Sequence, residues 1–207
     1  DMNNKITEDK MLQVLDTCYE KAIQGLPGFE TAQELGDKYL EKYQDVEKAI
    51  DKFIAFQEAK CMTSGFITGL GGVLTLPVAI PANVASVLYV QIRMIAAIAH
   101  MRGYDVLDDQ VKTFIYVALT GNSAGEILKQ SGIQIGVKMG TSLVKKIPGK
   151  VLTKINQKVG FRLLTKMGKT GAINLIKLVP ITGGIVGGGF DLISTATIAK
   201  TAKKIFV

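Results

Sequence analysis

An all-α fold with a single helical domain is expected from three features of this chain. Apolar residues recur at the three- and four-residue spacing of one helix face, most clearly in the first 60 residues. Residues typical of helix N-termini precede several of these segments. The alternation of β-branched and polar residues that marks a half-buried strand is nowhere sustained. A length of 207 residues suits one domain with a substantial core.

Three helices are predicted in the N-terminal part, over 7–24, 31–41 and 44–60. Each has its apolar residues on one face, so each is expected to pack against a common core. Thr31 and Glu34 have the spacing of a capping box, in which each side chain satisfies a backbone amide at the start of a helix. A Gly-Leu-Pro-Gly turn separates the first two helices.

The segment 61–92 contains no charged residue, and its 32 residues exceed the roughly 20 needed to span a bilayer. Pro77 and Pro81 each remove a backbone donor, so the segment is expected to break near 76–81. It therefore does not predict a continuous transmembrane helix. A helix over 82–102 follows, apolar around its whole circumference, which is typical of a central core helix.

Further helices are predicted in the C-terminal half. One begins at Asp108 or Asp109 and runs to about residue 130, with an interruption near Gly121. Others are expected over 132–146, 150–167 and, after a Val-Pro pair, about 185–205. Glycines cluster at 65–72 and 183–189, and such small residues let helices approach one another closely.

The formal net charge of +7 hides a strong asymmetry along the chain. Residues 1–60 carry 13 acids and 8 bases, a net of −5, and residues 61–126 carry a net of −1. Residues 127–207 carry 14 bases and one acid, a net of +13. This distribution predicts an anionic partner for the basic half, either a membrane surface, nucleic acid or the acidic half itself.

The sharpest polar signal is a pair of opposite charges inside apolar segments, Arg93 and Asp191. A buried charge without a partner is strongly unfavourable, so these residues are expected to face each other. The simpler interpretation is a core salt bridge that fixes how two helices dock. The functional alternative is a polar ligand pocket, to which Asn83, Gln91 and His100 would contribute.

A basic series with a four-residue period forms the second signal, with apolar residues running beside it. This pattern fits a helix that lies on an anionic membrane surface, and it equally fits a core-facing helix with a solvated back. Nucleic acid is disfavoured because no aromatic residues are interleaved with the lysines. The series consists of Lys150, Lys154, Lys158, Arg162 and Lys166.

Catalytic and metal chemistry find little support. Cys18 and Cys61 lie far apart and His100 is the single histidine, so a Cys/His zinc site is not expected. No serine or cysteine stands at a catalytic spacing from His100, and neither glycine cluster has the lysine of a phosphate loop. No cofactor, metal or catalytic residue is therefore predicted. The polar N-terminus lacks a signal-peptide pattern, and we expect a cytoplasmic protein.

Three segments resemble the bacterial EcsC family, namely GFITGLGGVLTLPVAIP at 65–81, QIRMIAAIAHMRGYD at 91–105, and KVGFRLL with VPITGGIVGGGFD between 158 and 191. The resemblance implies a bacterial helical protein, with an EcsC-like core over 61–207 on which the acidic helices of 1–60 pack. It implies membrane association and supplies no catalytic residues to carry over.

Three functions are compatible with these sequence features. The leading hypothesis is a non-enzymatic protein that binds the inner face of the cell membrane, a lipid or a membrane-protein partner. The second is a soluble helical module that encloses a small apolar or amphiphilic ligand, with Arg93 receiving its anionic group. The third is an enzyme that uses Arg93, Asp191 and His100.

Overall fold

The computed structural model describes residues 7–76, 80, 82–133, 144–167, 178–181, 184–187 and 194–207. The all-α fold class is confirmed, with one short β-hairpin added to the helices of the described residues. The helices are α1 (Glu8–Gln24), α2 (Ala32–Tyr43), α3 (Val46–Phe56), α4 (Ser64–Gly71), α5 (Ala82–Met101), α6 (Asp109–Ala118), α7 (Ala124–Gln130), α8 (Gly149–Met167) and α9 (Thr195–Ile205). A π-helical turn (Gln57–Cys61) follows α3, a 3-10 turn (Gly121–Ser123) precedes α7, and the strands are β1 (Leu178–Ile181) and β2 (Gly184–Gly187).

The three N-terminal helices begin where their capping residues predict. The Thr7 hydroxyl accepts a hydrogen bond from the amide of Lys10, and both halves of the Thr31–Glu34 capping box are present. The Asp45 carboxylate caps α3 in the same way. The first two helices are confirmed almost to the residue, whereas the third changes from α to π geometry after Phe56.

The predicted break in the uncharged segment is confirmed. α4 ends at Gly71, residues 72–76 are not helical, and α5 begins at Ala82. Every residue from 84 to 99 is buried, and α1, α2, α4, α6 and α9 all pack against α5. Within the described residues α5 is the one helix long and apolar enough to cross a membrane, but 94% of its apolar window is buried inside the protein. It is therefore the central helix of the core.

Glycine permits close helix packing at two positions along α5. A Cβ atom at Gly36 of α2 would lie 3.0 Å from His100 Cδ2 and 3.3 Å from the carbonyl oxygen of Ala97. At Gly71 the same atom would lie 3.3 Å from the Cβ of Ala82. The glycine cluster at 65–72 thus contributes one close helix contact, and the tighter contact comes from Gly36, which the sequence did not single out.

The predicted final helix over about 185–205 is wrong at its start, because residues 185–187 belong to β2, and residues 188–193 lie outside the described residues. β2 pairs antiparallel with β1, in a register that places Leu178 opposite Gly187 and Ile181 opposite Gly184. Helix α9 begins at Thr195, where the Ser194 hydroxyl accepts the amide of Thr197. The glycines of this region have poor helix propensity, which favours the extended pairing. Most of the helix predicted over 132–146 lies outside the described residues.

Candidate functional site

Helix α8 has one face in the core and the other in solvent. Its apolar residues pack toward α1, α6 and α7, and Gly160 lets the helix approach the first turn of α1. In the apolar band that the sequence placed beside the lysines, Ile155, Val159 and Leu163 are buried in the protein and Val151 is half-buried. The side chain of Met167, the last member of the band, lies outside the described residues.

The cationic residues of α8 lie on the opposite face. Lys150, Lys154 and Lys166 are exposed, while Lys158 and Arg162 are half-buried. None of the five forms an ion pair with any residue in the described part of the chain. Within the described residues, ion pairing therefore does not neutralise the cations of α8.

An aromatic residue interrupts the cationic face. Phe161, which follows the buried Gly160, is 57% exposed. It thus adds one apolar group to a surface whose other apolar residues face the core.

Other basic residues of the C-terminal half form ion pairs with acidic side chains. Lys203 of α9 lies 2.6 Å from the carboxylate of Asp51 and 3.6 Å from that of Glu47. The hydrogen bond to Asp51 raises the pKa of Lys203. Lys145 likewise lies 3.9 Å from Asp108. Part of the basic half therefore neutralises acids within the protein, and α8 does not share in that pairing among the described residues.

A cleft of about 390 Å³ lies between α8, α7 and the start of α1. Lys154, Lys158 and Arg162 line it from α8, while Glu8 and Glu126 line it from the other two helices. Arg162 donates a hydrogen bond of 2.8 Å from Nε to the hydroxyl of Ser123. Cations and carboxylates thus face a common space without forming ion pairs there.

Arg93 lies in the core, where it is 3% exposed. Its Nη1 donates to the carbonyl oxygen of Glu30 at 3.0 Å, and its Nη2 lies 3.6 Å from the sulfur of Cys61. The guanidinium carbon is 5.5 Å from the ring centroid of Tyr89 and 5.8 Å from that of Phe66, within cation–π range. Arg93 therefore connects α5 to the α1–α2 turn, the π-helical turn and α4.

Unpaired polar atoms surround this arginine. Both amide atoms of Gln57, the hydroxyl of Tyr89 and Nε of Arg93 are buried and make no hydrogen bond within the described structure. Burial raises the pKa values of Cys61 and Tyr89, and the positive charge of Arg93 opposes both rises. A π-helical turn is often found at a functional site, and here it supplies Gln57 and Cys61 to the cluster.

The remaining predicted pocket residues contact separate neighbours. Gln91 donates from Nε2 to the hydroxyl of Thr195 at 3.4 Å, and Nε2 of His100 lies 2.7 Å from the carboxylate of Asp37. Asn83 is half-buried at the beginning of α5. Asp191 lies outside the described residues, so its predicted contact with Arg93 stays a prediction. A pocket that these side chains would share with Arg93 therefore also stays a prediction.

Two features of the sites had no signal in the sequence. The partners of Arg93 are a backbone carbonyl and a thiol, which no charge pattern reveals. The acidic residues of the cleft, Glu8 and Glu126, are far apart in the sequence, and tertiary packing alone brings them to the same cavity. Among the described residues, no group of three His, Cys, Asp or Glu side chains is placed to hold a metal ion.

Comparison with known proteins identifies the family. The sequence model of the EcsC protein family matches residues 2–207, essentially the whole chain, and the chain belongs to that family. No curated protein and no solved structure matches the chain.

Proposed function

We propose that this EcsC-family protein is a non-enzymatic peripheral membrane protein that binds an anionic lipid surface through the exposed face of α8. The observation that carries the proposal is the set of α8 cations without acidic partners in the described structure. Each lysine near an anionic membrane contributes about 1 kcal/mol of attraction. The bacterial cell membrane, approached from the cytoplasm, is the surface that we propose.

The burial of the apolar band defines the character of this binding. Because Ile155 and Val159 are fully buried, α8 contributes charge to the interface and little apolar area. Phe161 is the exception, since its exposed ring can enter the interfacial layer. Binding should therefore weaken steeply as the salt concentration rises, because exposed charges are screened far more than buried ones. The screening length is about 8 Å at physiological ionic strength.

The test replaces Lys150, Lys154, Lys158 and Lys166 with glutamine and measures co-sedimentation with vesicles of phosphatidylglycerol and phosphatidylcholine. Affinity should fall by about tenfold or more, because four attractive charges are removed. The matched control replaces four exposed lysines of the acidic half, Lys42, Lys48, Lys52 and Lys60. Both variants change the formal charge from +7 to +3, since four positive charges are lost.

Two outcomes would overturn the proposal. The first is a wild-type protein that fails to sediment with anionic vesicles at low salt. The second is an equal loss of binding in both quadruple variants, which would show a response to total charge and no role for the α8 face.

A second function is favoured by the unpaired polar atoms around Arg93. A soluble module that encloses an amphiphile would place its anionic group against Arg93 and its chain among the apolar residues of the core. Native mass spectrometry of the purified protein tests this idea. A bound amphiphile that is lost in Arg93→Met and retained in the α8 quadruple variant would support it, and a ligand-free wild type would contradict it.

A further inference from the structure

The cleft beside α8 separates opposite charges on different walls. Lys154, Lys158 and Arg162 belong to α8, whereas Glu8 begins α1 and Glu126 lies in α7. In the described structure none of these five side chains forms an ion pair. A cavity of about 390 Å³ therefore lies between groups that attract a ligand carrying both signs of charge.

Arg162 is held in a position that suits a phosphate. Its Nε donates to the hydroxyl of Ser123, a side chain that is itself almost completely buried. Neither Nη atom has a hydrogen-bond partner among the described residues. A guanidinium fixed at Nε still presents the N–H groups of its Nη atoms, and these match two oxygens of a phosphate. Lys154 and Lys158 add positive charge on the same wall.

The opposite wall suits a primary ammonium group. Glu126 accepts one hydrogen bond at Oε1 from the amide of Gln130, at 3.3 Å, and its Oε2 has no partner in the described structure. Glu8 adds a second carboxylate. An ammonium carries three donors, whereas a trimethylammonium carries none, so carboxylates of this kind favour the primary amine.

Phe161 adds an apolar side chain to the lining of the cleft. Its exposed ring belongs to the same cleft, where it can contact the apolar part of a molecule whose polar end occupies the cavity. We propose that this cleft binds the head group of an amine-bearing phospholipid, a phosphate with a tethered primary ammonium. The inference rests on the proposed membrane binding and adds to it the chemistry of the lipid that is recognised.

The experiment compares vesicles with the same phosphatidylglycerol content, completed with either phosphatidylethanolamine or phosphatidylcholine. The wild type should bind the ethanolamine vesicles about three- to tenfold more tightly, the effect of one hydrogen bond of ordinary net strength. Glu126→Gln should abolish this preference, so that the variant binds both vesicle types with equal affinity. Glu58→Gln, an exposed carboxylate outside the cleft, is the matched control and should keep the preference.

Titration of the free head groups separates failure of this inference from failure of membrane binding. Phosphoethanolamine, phosphocholine and inorganic phosphate are added to the 207-residue protein, and amide shifts around Ser123, Glu126 and Arg162 are followed by NMR. Shifts with phosphoethanolamine at lower concentration than with the other two support the cleft even where no vesicle binds. Equal affinity for both vesicle types, or inorganic phosphate binding as tightly as phosphoethanolamine, would overturn the ammonium assignment. Persistence of the ethanolamine preference in Glu126→Gln would also overturn it.

Discussion

Helices α5 and α8 have almost the same length, 20 and 19 residues, but the positive charge of α5 is buried, whereas the positive charges of α8 lie at or near the surface. α5 contains one arginine, which is buried and surrounded by a carbonyl, a thiol and two aromatic rings. α8 contains five cations on one face, and none of them has an acidic partner in the described structure. The buried charge is held by contacts within the core, whereas the exposed charges are the ones that we propose to bind an anionic surface.

The energetic consequences of the two arrangements also differ. Desolvating a charge costs several kcal/mol unless hydrogen bonds and opposite charge compensate for it, so Arg93 requires the segments that surround it. Solvated lysines contribute little to folding, about 0–1 kcal/mol even when paired. Folding stability therefore explains the contacts of Arg93 and does not explain the four-residue series on α8.

The largest effect on the free energy of unfolding is expected from removing the buried charge of Arg93. Arg93→Met should lower the free energy of unfolding by about 3–5 kcal/mol if Asp191 is its partner, because a carboxylate is then stranded in the core. The same substitution at Arg162 should cost about 1 kcal/mol, since it removes one hydrogen bond to Ser123. Urea denaturation measures both values.

A double-mutant cycle decides whether Asp191 is that partner. Asp191→Asn should cost less in the Arg93→Met background than in the wild type, with a coupling of about 0.5–3 kcal/mol. Additive effects of the two substitutions would contradict the predicted ion pair and leave Arg93 with the partners already described.

The next effect concerns the pH dependence of the core beneath α5. Cys18 of α1 is fully buried beside the carbonyl of Ala85, and burial raises the pKa of its thiol from 9.0 to about 12. The folded protein favours the protonated thiol, so this contribution is complete below pH 9 and is lost as the pH rises toward about 12. Cys18 alone should remove about 2 kcal/mol between about pH 9 and about pH 10.5. The measurement is the free energy of unfolding against pH, and Cys18→Ala should give a flatter curve.

A smaller effect is expected from glycine-to-alanine substitutions at close packing contacts of the two helices. Gly36→Ala places a Cβ within 3.0 Å of His100 on α5, and this overpacking should outweigh the better helix propensity of alanine by about 1 kcal/mol. Gly160→Ala on α8 meets its nearest atom at 3.4 Å, an ordinary contact, and should leave the thermal midpoint unchanged or raised. Equal losses at both positions would show that α8 is packed as tightly as α5.

The smallest effect lies on the exposed face of α8. Lys154 has like charges four residues away on each side, at Lys150 and Lys158, and such pairs destabilise a helix. Lys154→Gln should therefore raise the free energy of unfolding by about 0.5 kcal/mol at low salt. The gain should vanish at about 1 M salt, where charges are screened within about 3 Å. A loss of stability would indicate that Lys154 has a partner within the protein.

Local chemistry explains which parts of the fold could be predicted. The starts of α1 and α2 follow from Thr7, Thr31 and Glu34, whose capping hydrogen bonds involve residues only three apart. The break between α4 and α5 follows from two prolines. The family followed from the glycine-proline segment and the apolar helix after it, and membership is confirmed over 2–207.

The remaining features depend on tertiary contacts. The hairpin of β1 and β2 is stabilised by pairing between strands, which a four-residue segment such as Gly184–Gly187 does not reveal by itself. The close approach at Gly36 depends on which helix lies opposite. The sequence correctly placed the cations of α8 in one series, but the cleft beside them also needs Glu8 and Glu126 from distant parts of the chain.

Arg93 has one further consequence for a protein that we propose to work beside a membrane. It is the twelfth residue of the 20 in α5, a helix whose composition would otherwise suit a bilayer. Placing an arginine at the centre of a membrane helix costs about 2.5–3.5 kcal/mol on the scale measured for insertion during synthesis. Arg93 therefore also opposes lateral transfer of α5 into lipid. It favours a folding path in which the newly made helix stays in water until the segments that pack against it are available.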